Sequence, residues 1–311
     1  MPTVIANGLE IEVETRGNPT DPAVLLIMGL GMQLVAWPES FCQALVDAGF
    51  HVITFDNRDV GLSEKISTQT KSNLPLAAMR YFLHLPVRAP YLLDAMAADS
   101  VGVLDALGID AAHVVGVSLG GMIAQTVAAN YPKRCLSLAS IMASSGDRRL
   151  PNASLKVTRL MLSRPPPKAS LEALTDHLVG LFEAIGSPGF PTPPALLRER
   201  LSAGLRRGYY PPGTVRQLLA IVASGDRSAQ LRAITKPTLI LHGDADPLVR
   251  VSHGIDCARK IPRARLKIIP GMGHDLAPGL LSILADALVE HFRTSGGALR
   301  SNPAVAAANR G

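Results

Sequence analysis

One serine of this chain lies in a glycine-flanked pentapeptide that could make it a nucleophile. The segment Gly116-Val117-Ser118-Leu119-Gly120 joins an apolar, strand-like run at residues 113–117 to an apolar, helix-like run at 122–129. A G-x-S-x-G pattern between a strand and a helix predicts a tight turn that presents the serine hydroxyl at the carboxyl end of the strand. Glycine at both flanks removes side chains that would collide there. The five residues alone also fit an ordinary glycine-rich turn, so the assignment depends on partners for Ser118.

A serine hydroxyl needs a base to remove its proton and an acid to orient that base. The segment His242-Gly243-Asp244-Ala245-Asp246 follows one predicted strand, and Gly271-Met272-Gly273-His274 follows the next. Both segments therefore lie at the edge of the sheet where open α/β sheets carry their reaction sites. The chain order serine, acid, histidine is known for such triads. The sequence thus predicts Ser118 as nucleophile, His274 as base and Asp246 as orienting acid.

Two aspartates compete for the role of the acid. Asp246 is favoured because it lies deeper in the loop and directly before a proline, whereas Asp244 is expected to cap the turn. A calcium site is a second interpretation of the Asp-x-Asp pattern, but no further loop carboxylates follow. We therefore expect Asp246 to face the histidine.

Eight histidines are available as the base. His113 and His242 adjoin apolar strands and are expected to be structural. Four others lie in helical or exposed stretches, namely His84, His177, His253 and His291. His274 is distinguished by its glycine-flanked loop after the last predicted strand.

A tetrahedral intermediate also needs two N–H donors for its oxyanion. One is expected from Leu119, the residue after the nucleophile, and the other from Leu30 in the loop after Met28. Gly29 and Gly31 would let that backbone approach the substrate closely. An ordinary glycine turn is the alternative interpretation of this loop.

The elements around these residues alternate between strand-like and helix-like patterns. Short apolar runs end in glycine or polar loops, and amphipathic stretches separate them. This alternation predicts an α/β fold with a mostly parallel, eight-stranded sheet flanked by helices. An Asn7-Gly8 pair predicts a hairpin at the amino end.

The alternation stops after residue 147 and resumes at residue 236. The interval 148–235 is helical in pattern and rich in proline, with Pro165-Pro166-Pro167 as one interruption. We expect a core of residues 1–147 and 236–293 and a helical cap at 148–235. The remainder, 294–311, is expected to be a disordered tail.

The net charge of +6 is concentrated in this interval. Residues 148–232 hold thirteen Lys or Arg and five Asp or Glu, a balance of +8 that leaves −2 elsewhere. Such a segment could attract anionic substrates or a membrane surface, but the favoured interpretation is that its charges solvate helix faces. RNA-binding and zinc-finger signatures are absent, so nucleic acid is not expected as a partner.

Other features indicate a cytoplasmic protein. The three cysteines are odd in number and widely spaced, which disfavours a disulfide framework. The first residues lack the pattern of a signal peptide, and no apolar run is long enough for a membrane span. Integral membrane association is therefore not expected, and the oligomeric state cannot be deduced from the sequence.

Together these residues resemble the α/β-hydrolase fold family over about residues 3–293. The segment Asp56-Asn57-Arg58-Asp59-Val60-Gly61-Leu62-Ser63 looks like that family's D-x-R-G-x-G-x-S pattern, with Asp59 where glycine is usual. Asp59, and Met28-Gly29 where many members have His-Gly, are similar to the aclacinomycin methylesterase-like branch. The resemblance implies an ester-cleaving enzyme with a helical cap over its site.

The resulting hypothesis is a serine hydrolase that cleaves a small-molecule carboxylic ester through an acyl-enzyme, with no metal or organic cofactor. The same triad could serve a proline iminopeptidase, a C–C bond hydrolase or a cofactor-free perhydrolase. A non-catalytic ligand receptor on this fold is a further alternative. The sequence leaves the acyl and alcohol groups open, because the fold supports many chemistries.

Overall fold

The computed structural model describes residues 2–67, 74–83, 85–163 and 169–295. His84, the proline run at 165–167 and the predicted tail beyond residue 295 lie outside the described residues. Thr294 and Ser295, which the predicted tail included, instead form the end of the last helix.

Within the described residues, eight strands form a single sheet. They are β1 (Thr3–Ala6), β2 (Leu9–Arg16), β3 (Ala23–Ile27), β4 (His51–Phe55), β5 (Ala112–Val117), β6 (Cys135–Ile141), β7 (Thr238–Gly243) and β8 (Ala264–Ile269). Their order is β1-β2-β4-β3-β5-β6-β7-β8. β2 pairs antiparallel with β1 and β4, and the five remaining pairings are parallel. The predicted mostly parallel, eight-stranded sheet is therefore confirmed.

Eleven α-helices accompany the sheet in the described part of the chain. They are α1 (Glu39–Asp47), α2 (Leu74–Phe82), α3 (Leu93–Ala106), α4 (Leu119–Asn130), α5 (Leu155–Leu162), α6 (Leu171–Ile185), α7 (Pro194–Arg207), α8 (Pro211–Ser224), α9 (Ser228–Ala233), α10 (Val251–Lys260) and α11 (Leu281–Ser295). The sequence analysis did not predict α2. None of the described helices has both the length and the apolar character needed to cross a membrane.

The central strands are buried on both faces, and their side chains alternate between two cores. Leu25 and Ile27 of β3 pack in one cluster with α3 and α4, whereas Val24 and Leu26 pack in the other with α1 and α11. This alternation follows from the two-residue period of a strand. The two helical layers leave the carboxyl ends of the parallel strands free to carry loops.

Five helices, α5 to α9, lie between β6 and β7, and the described part of this interval contains no strand. Serine side chains begin two of them: Ser154 Oγ accepts from Val157 N in α5, and Ser170 Oγ accepts from Ala173 N in α6. Proline begins α7 and α8, where the missing N–H would have no helical acceptor.

Two buried histidines lie where the last helix packs on the sheet, one in β5 and one in α11 itself. His113 of β5 hydrogen-bonds Ser137 Oγ at 2.8 Å and stacks on Phe292, and His291 Nε2 donates to Leu138 O at 3.0 Å. Burial lowers the pKa of each to about 4. Both are therefore neutral in the folded protein at neutral pH.

We expect these histidines to make the fold sensitive to mild acid. As the pH falls from about 6.5 towards 4, the unfolded chain takes up protons that the folded chain does not, so the free energy of unfolding decreases by up to about 3 kcal/mol per histidine. Urea denaturation at pH 7 and pH 4.5 measures this loss. His291→Gln, which keeps a donor for Leu138 O, should lose less. Equal loss in both proteins would contradict the assignment to His291.

Candidate active site

Ser118 occupies a strained turn between β5 and α4. Its φ of 56° and ψ of −119° are rare for a residue with a side chain. A Cβ added at Gly116 would lie 2.0 Å from Gly120 O, and one added at Gly120 would lie 2.0 Å from Ile27 O. The two glycines are therefore required by close backbone contacts. Ser118 is partly exposed and directly precedes α4, whose N-terminal dipole favours negative charge.

The structure brings the three predicted catalytic side chains together. His274 Nε2 lies 2.9 Å from Ser118 Oγ, and His274 Nδ1 lies 2.7 Å from Asp246 Oδ2. Asp246 and His274 are 4% and 7% exposed, so water screens their contact little. The hydrogen bonds form a continuous chain from the serine hydroxyl to the carboxylate.

The two aspartates of the β7 loop have different partners. The second oxygen of Asp246 accepts from Leu248 N at 2.9 Å and Val249 N at 2.8 Å. These two N–H groups hold the carboxylate and aim its other oxygen at the histidine. Asp244 instead accepts from Gly271 N at 2.7 Å and so links the β7 and β8 loops.

A second histidine approaches the same carboxylate without adding charge. His242 Nε2 lies 3.7 Å from Asp246 Oδ2 but donates its hydrogen bond to Val249 O at 2.7 Å. Burial lowers the pKa of His242, which keeps its ring neutral. The charge of Asp246 is therefore available to an imidazolium at His274.

The loop that carries His274 is fixed by the end of α6. His274 N donates to Ile185 O at 2.7 Å, and Gly273 N donates to Ser187 Oγ at 2.8 Å. Ser187 Oγ in turn donates to Asp275, a carboxyl whose pKa is raised by burial. Sequence reasoning missed Ser187, which carries no local motif and reaches the histidine loop only through the fold.

The two segments predicted to supply the oxyanion donors both approach Ser118. Leu119 N is the first N–H of α4 and has no helical acceptor. The loop after β3 approaches from the other side: a Cβ added at Gly29 would lie 3.9 Å from Ser118 Oγ. Asn57 Nδ2 donates to Met28 O at 3.0 Å and holds the start of this loop. Asn57 was not predicted as a site residue, although its place two residues after β4 could have indicated a role at this edge.

The geometry can be compared with known proteins. A sequence model of the α/β-hydrolase fold matches residues 22–277. The chain belongs to this family. Among solved structures, the meta-cleavage product hydrolase of Pseudomonas fluorescens IP01 superposes with a TM-score of 0.72 at 21% identity, covering 95% of this chain and 98% of that one. An esterase from Exiguobacterium antarcticum gives 0.71 at 20% identity, covering 94% and 100%.

Two characterised relatives are similar enough to bear on the type of enzyme. Rhodomycin D methylesterase DnrP of Streptomyces peucetius is 30% identical over 95% of this chain and 99% of its own length. A poly(3-hydroxyalkanoate) depolymerase of Ectopseudomonas oleovorans is 31% identical over 81% and 78%. The predicted resemblance to a methylesterase branch is confirmed, and so, at the level of the family, is the predicted enzyme class of carboxylic ester hydrolase.

The departure from the hydrolase family pattern at Asp59 has a structural reason. Asp59 is fully buried with φ 71°, a backbone conformation that favours glycine. Its carboxylate accepts from Arg216 Nε at 2.8 Å, Arg216 Nη2 at 2.5 Å and Tyr91 Oη at 2.7 Å. A bidentate ion pair thus joins the β4 loop to α8.

This pairing corrects the expectation that the positive charge of residues 148–232 only solvates helix faces. Arg216 is buried against Asp59, and Arg207 of α7 reaches Asp56 Oδ2 at 2.5 Å. Arg227 is also buried and donates to Ser144 O at 2.5 Å. These three arginines therefore contact acceptors in the rest of the fold and do not only solvate helix faces.

The described residues contain no cluster of three or more His, Cys, Asp or Glu side chains that could hold a metal ion.

Proposed function

We propose that this protein hydrolyses carboxylic esters through a Ser118-His274-Asp246 triad and an acyl-enzyme intermediate. The observation that carries the proposal is the continuous hydrogen-bond chain, 2.9 Å from Ser118 Oγ to His274 Nε2 and 2.7 Å from His274 Nδ1 to Asp246 Oδ2. This is the geometry by which a histidine takes up the serine proton while a carboxylate orients its ring.

The proposed reaction has two halves. Ser118 Oγ attacks the ester carbonyl while His274 takes its proton, and the oxyanion accepts hydrogen bonds from Leu119 N and Leu30 N. The intermediate collapses when His274 gives the proton to the leaving alcohol, which leaves the acyl group on Ser118. Water, deprotonated by His274, then attacks the acyl-enzyme and releases the acid.

We further propose residues 148–235 as a cap over this site. Its described residues contact both halves of the machinery, since Ile185 O accepts from His274 N and Gln217 Oε1 accepts from Gly31 N. The methylesterase relative, similar over nearly its whole length, supports a methyl ester as the substrate. A methoxy group is a small leaving group, so the acyl part would supply most of the binding energy.

C–C bond hydrolysis is the second candidate. A 2-hydroxy-6-oxononadienedioate/2-hydroxy-6-oxononatrienedioate hydrolase of Pseudomonas sp. is 26% identical over 85% of this chain and 85% of its own length. The same triad could act on such a dienoate. Ester hydrolysis is preferred because the methylesterase match is closer and extends over 95% of the chain.

A substrate panel tests the choice. We expect the protein to cleave methyl esters of aromatic carboxylic acids faster than the matching butyl esters, with the released acid followed by titration. A proline naphthylamide and a 2-hydroxy-6-oxodienoate serve as the competing substrates. A kcat/KM for the dienoate above that for every ester would contradict the proposal and favour the C–C hydrolase.

A further inference from the structure

A buried glutamine outside the triad bridges the oxyanion loop and the β4 loop. Gln217 of α8 is fully buried; its Oε1 accepts from Gly31 N at 2.9 Å and its Nε2 donates to Arg58 O at 2.9 Å. Both ends of the amide are therefore committed to backbone groups. If the amide were turned over, its NH₂ group would face the donor Gly31 N and its oxygen would face the acceptor Arg58 O. The hydrogen bonds therefore fix the orientation of the amide.

Gly31 is the residue on which the conformation of the oxyanion loop depends. Met32 N donates to Gly29 O at 3.1 Å, which closes a four-residue turn with Leu30 second and Gly31 third. The φ of 67° at Gly31 is the mark of a type II turn. The Leu30–Gly31 peptide is the group that flips between type II and type I turns. A hydrogen bond to Gly31 N therefore selects the observed form.

Helix α8 is placed firmly enough to act as this anchor. Arg216, the neighbour of Gln217, makes the buried bidentate pair with Asp59. Thr214 packs directly on the oxyanion loop, since a Cβ added at Gly31 would lie 2.8 Å from Thr214 Oγ1. Gln217 thus extends from a firmly packed helix onto a turn that lies outside the strands and helices.

We infer that Gln217 is a positioning residue for the oxyanion hole. Through this side chain, the cap fixes the position of the Leu30 N–H donor. This inference rests on the proposed ester hydrolysis. Asn57 fixes the start of the loop at Met28 O, and Gln217 fixes it on the far side of Leu30. With both ends held, Leu30 N is preorganised before the oxyanion forms.

Gln217→Leu, which keeps the size of the side chain and removes both hydrogen bonds, is the direct test. We expect kcat for p-nitrophenyl butyrate to fall about 10- to 100-fold with KM changed only a few-fold, because the oxyanion donors act in the transition state. Gln230→Leu is the matched control: Gln230 is another glutamine of the cap bonded to the core, at Asp94, and its loss should leave kcat near the wild-type value.

Gln217→Glu is the rescue variant. An ionised carboxylate is costly to bury against Arg58 O, so the carboxyl is expected to protonate; one oxygen then accepts from Gly31 N and the O–H can donate to Arg58 O. Positioning predicts that this variant recovers most of kcat relative to Gln217→Leu. If both variants lose kcat equally while KM and Tm also shift, Gln217 only attaches the cap and the inference is wrong.

Two further outcomes keep the inference separate from the proposed function. If Gln217→Leu does not fold, Gln217→Asn replaces it, because its shorter amide cannot reach both Gly31 and Arg58 and should lose kcat similarly. Wild-type kcat in either variant of an active enzyme would overturn the inference alone. Absence of ester hydrolysis by the wild-type protein would overturn the proposed function and, with it, the inference.

Discussion

Replacing Ser118 with alanine is expected to lower kcat/KM for p-nitrophenyl esters by about 10⁴- to 10⁶-fold. In the proposed mechanism, the substitution removes the oxygen that forms the acyl-enzyme. The proposed oxyanion donors and the rest of the site remain, so a residual rate above that in buffer is expected. Initial rates with a chromogenic ester at several substrate concentrations give the ratio.

Ser144→Ala is the matched control for this substitution. Ser144 lies just beyond β6 at the same edge of the sheet, and its Oγ lies 2.8 Å from His253 Nδ1. That histidine contacts Pro151 O on its other side and has no carboxylate there. We expect Ser144→Ala to keep kcat/KM within a few-fold of the wild-type value. A small loss in Ser118→Ala, or a large one in Ser144→Ala, would contradict the nucleophile assignment.

Asp246→Asn is expected to lower kcat by about 10⁴-fold without a comparable change in KM. An amide at this position can present its NH₂ group to His274 Nδ1, which stabilises the ring tautomer that cannot accept the serine proton. It also removes the negative charge that stabilises the imidazolium in the transition state. Because Asp246 is buried with two N–H donors of its own, Tm is measured alongside kcat to separate catalysis from folding.

The neighbouring aspartate provides the control. Asp244 accepts only from Gly271 N among the described contacts of its carboxylate, and it does not contact His274. Asp244→Asn can keep that hydrogen bond through its carbonyl oxygen. We expect a change in kcat of no more than a few-fold. Equal losses of kcat in the two variants would mean that activity depends on the conformation of the β7 loop and not on an acid at Asp246.

The sheet and its reactive edge could be predicted because their signals are local. The Asn7-Gly8 pair does form a turn with positive φ at both residues, 51° and 77°, as its composition predicts. Gly116 and Gly120 are needed within the five-residue turn that they flank. Strand and helix periodicity then predicts that the β7 and β8 loops lie at the same edge of the sheet as Ser118. This prediction requires no interatomic distance.

The contacts between α8 and the rest of the fold could not be predicted in this way. Asp59 and Arg216 are 157 residues apart in sequence, and Gly31 and Gln217 are 186 apart. No sequence feature around Gln217 distinguishes it from other polar residues on an amphipathic helix. A count of charges likewise cannot distinguish a buried arginine such as Arg216 from a solvated one. Their roles depend on how helices pack, which a single sequence does not encode in a short motif.

The most direct test of the central claim is to trap the acyl-enzyme. The wild-type protein is mixed with p-nitrophenyl acetate, quenched in acid during the first turnovers, digested and analysed by mass spectrometry. We predict one acetyl group on the peptide that contains Ser118, and none on the same peptide of the Ser118→Ala variant. An acetyl group on another residue, together with ester turnover that survives in Ser118→Ala, would contradict the proposed mechanism.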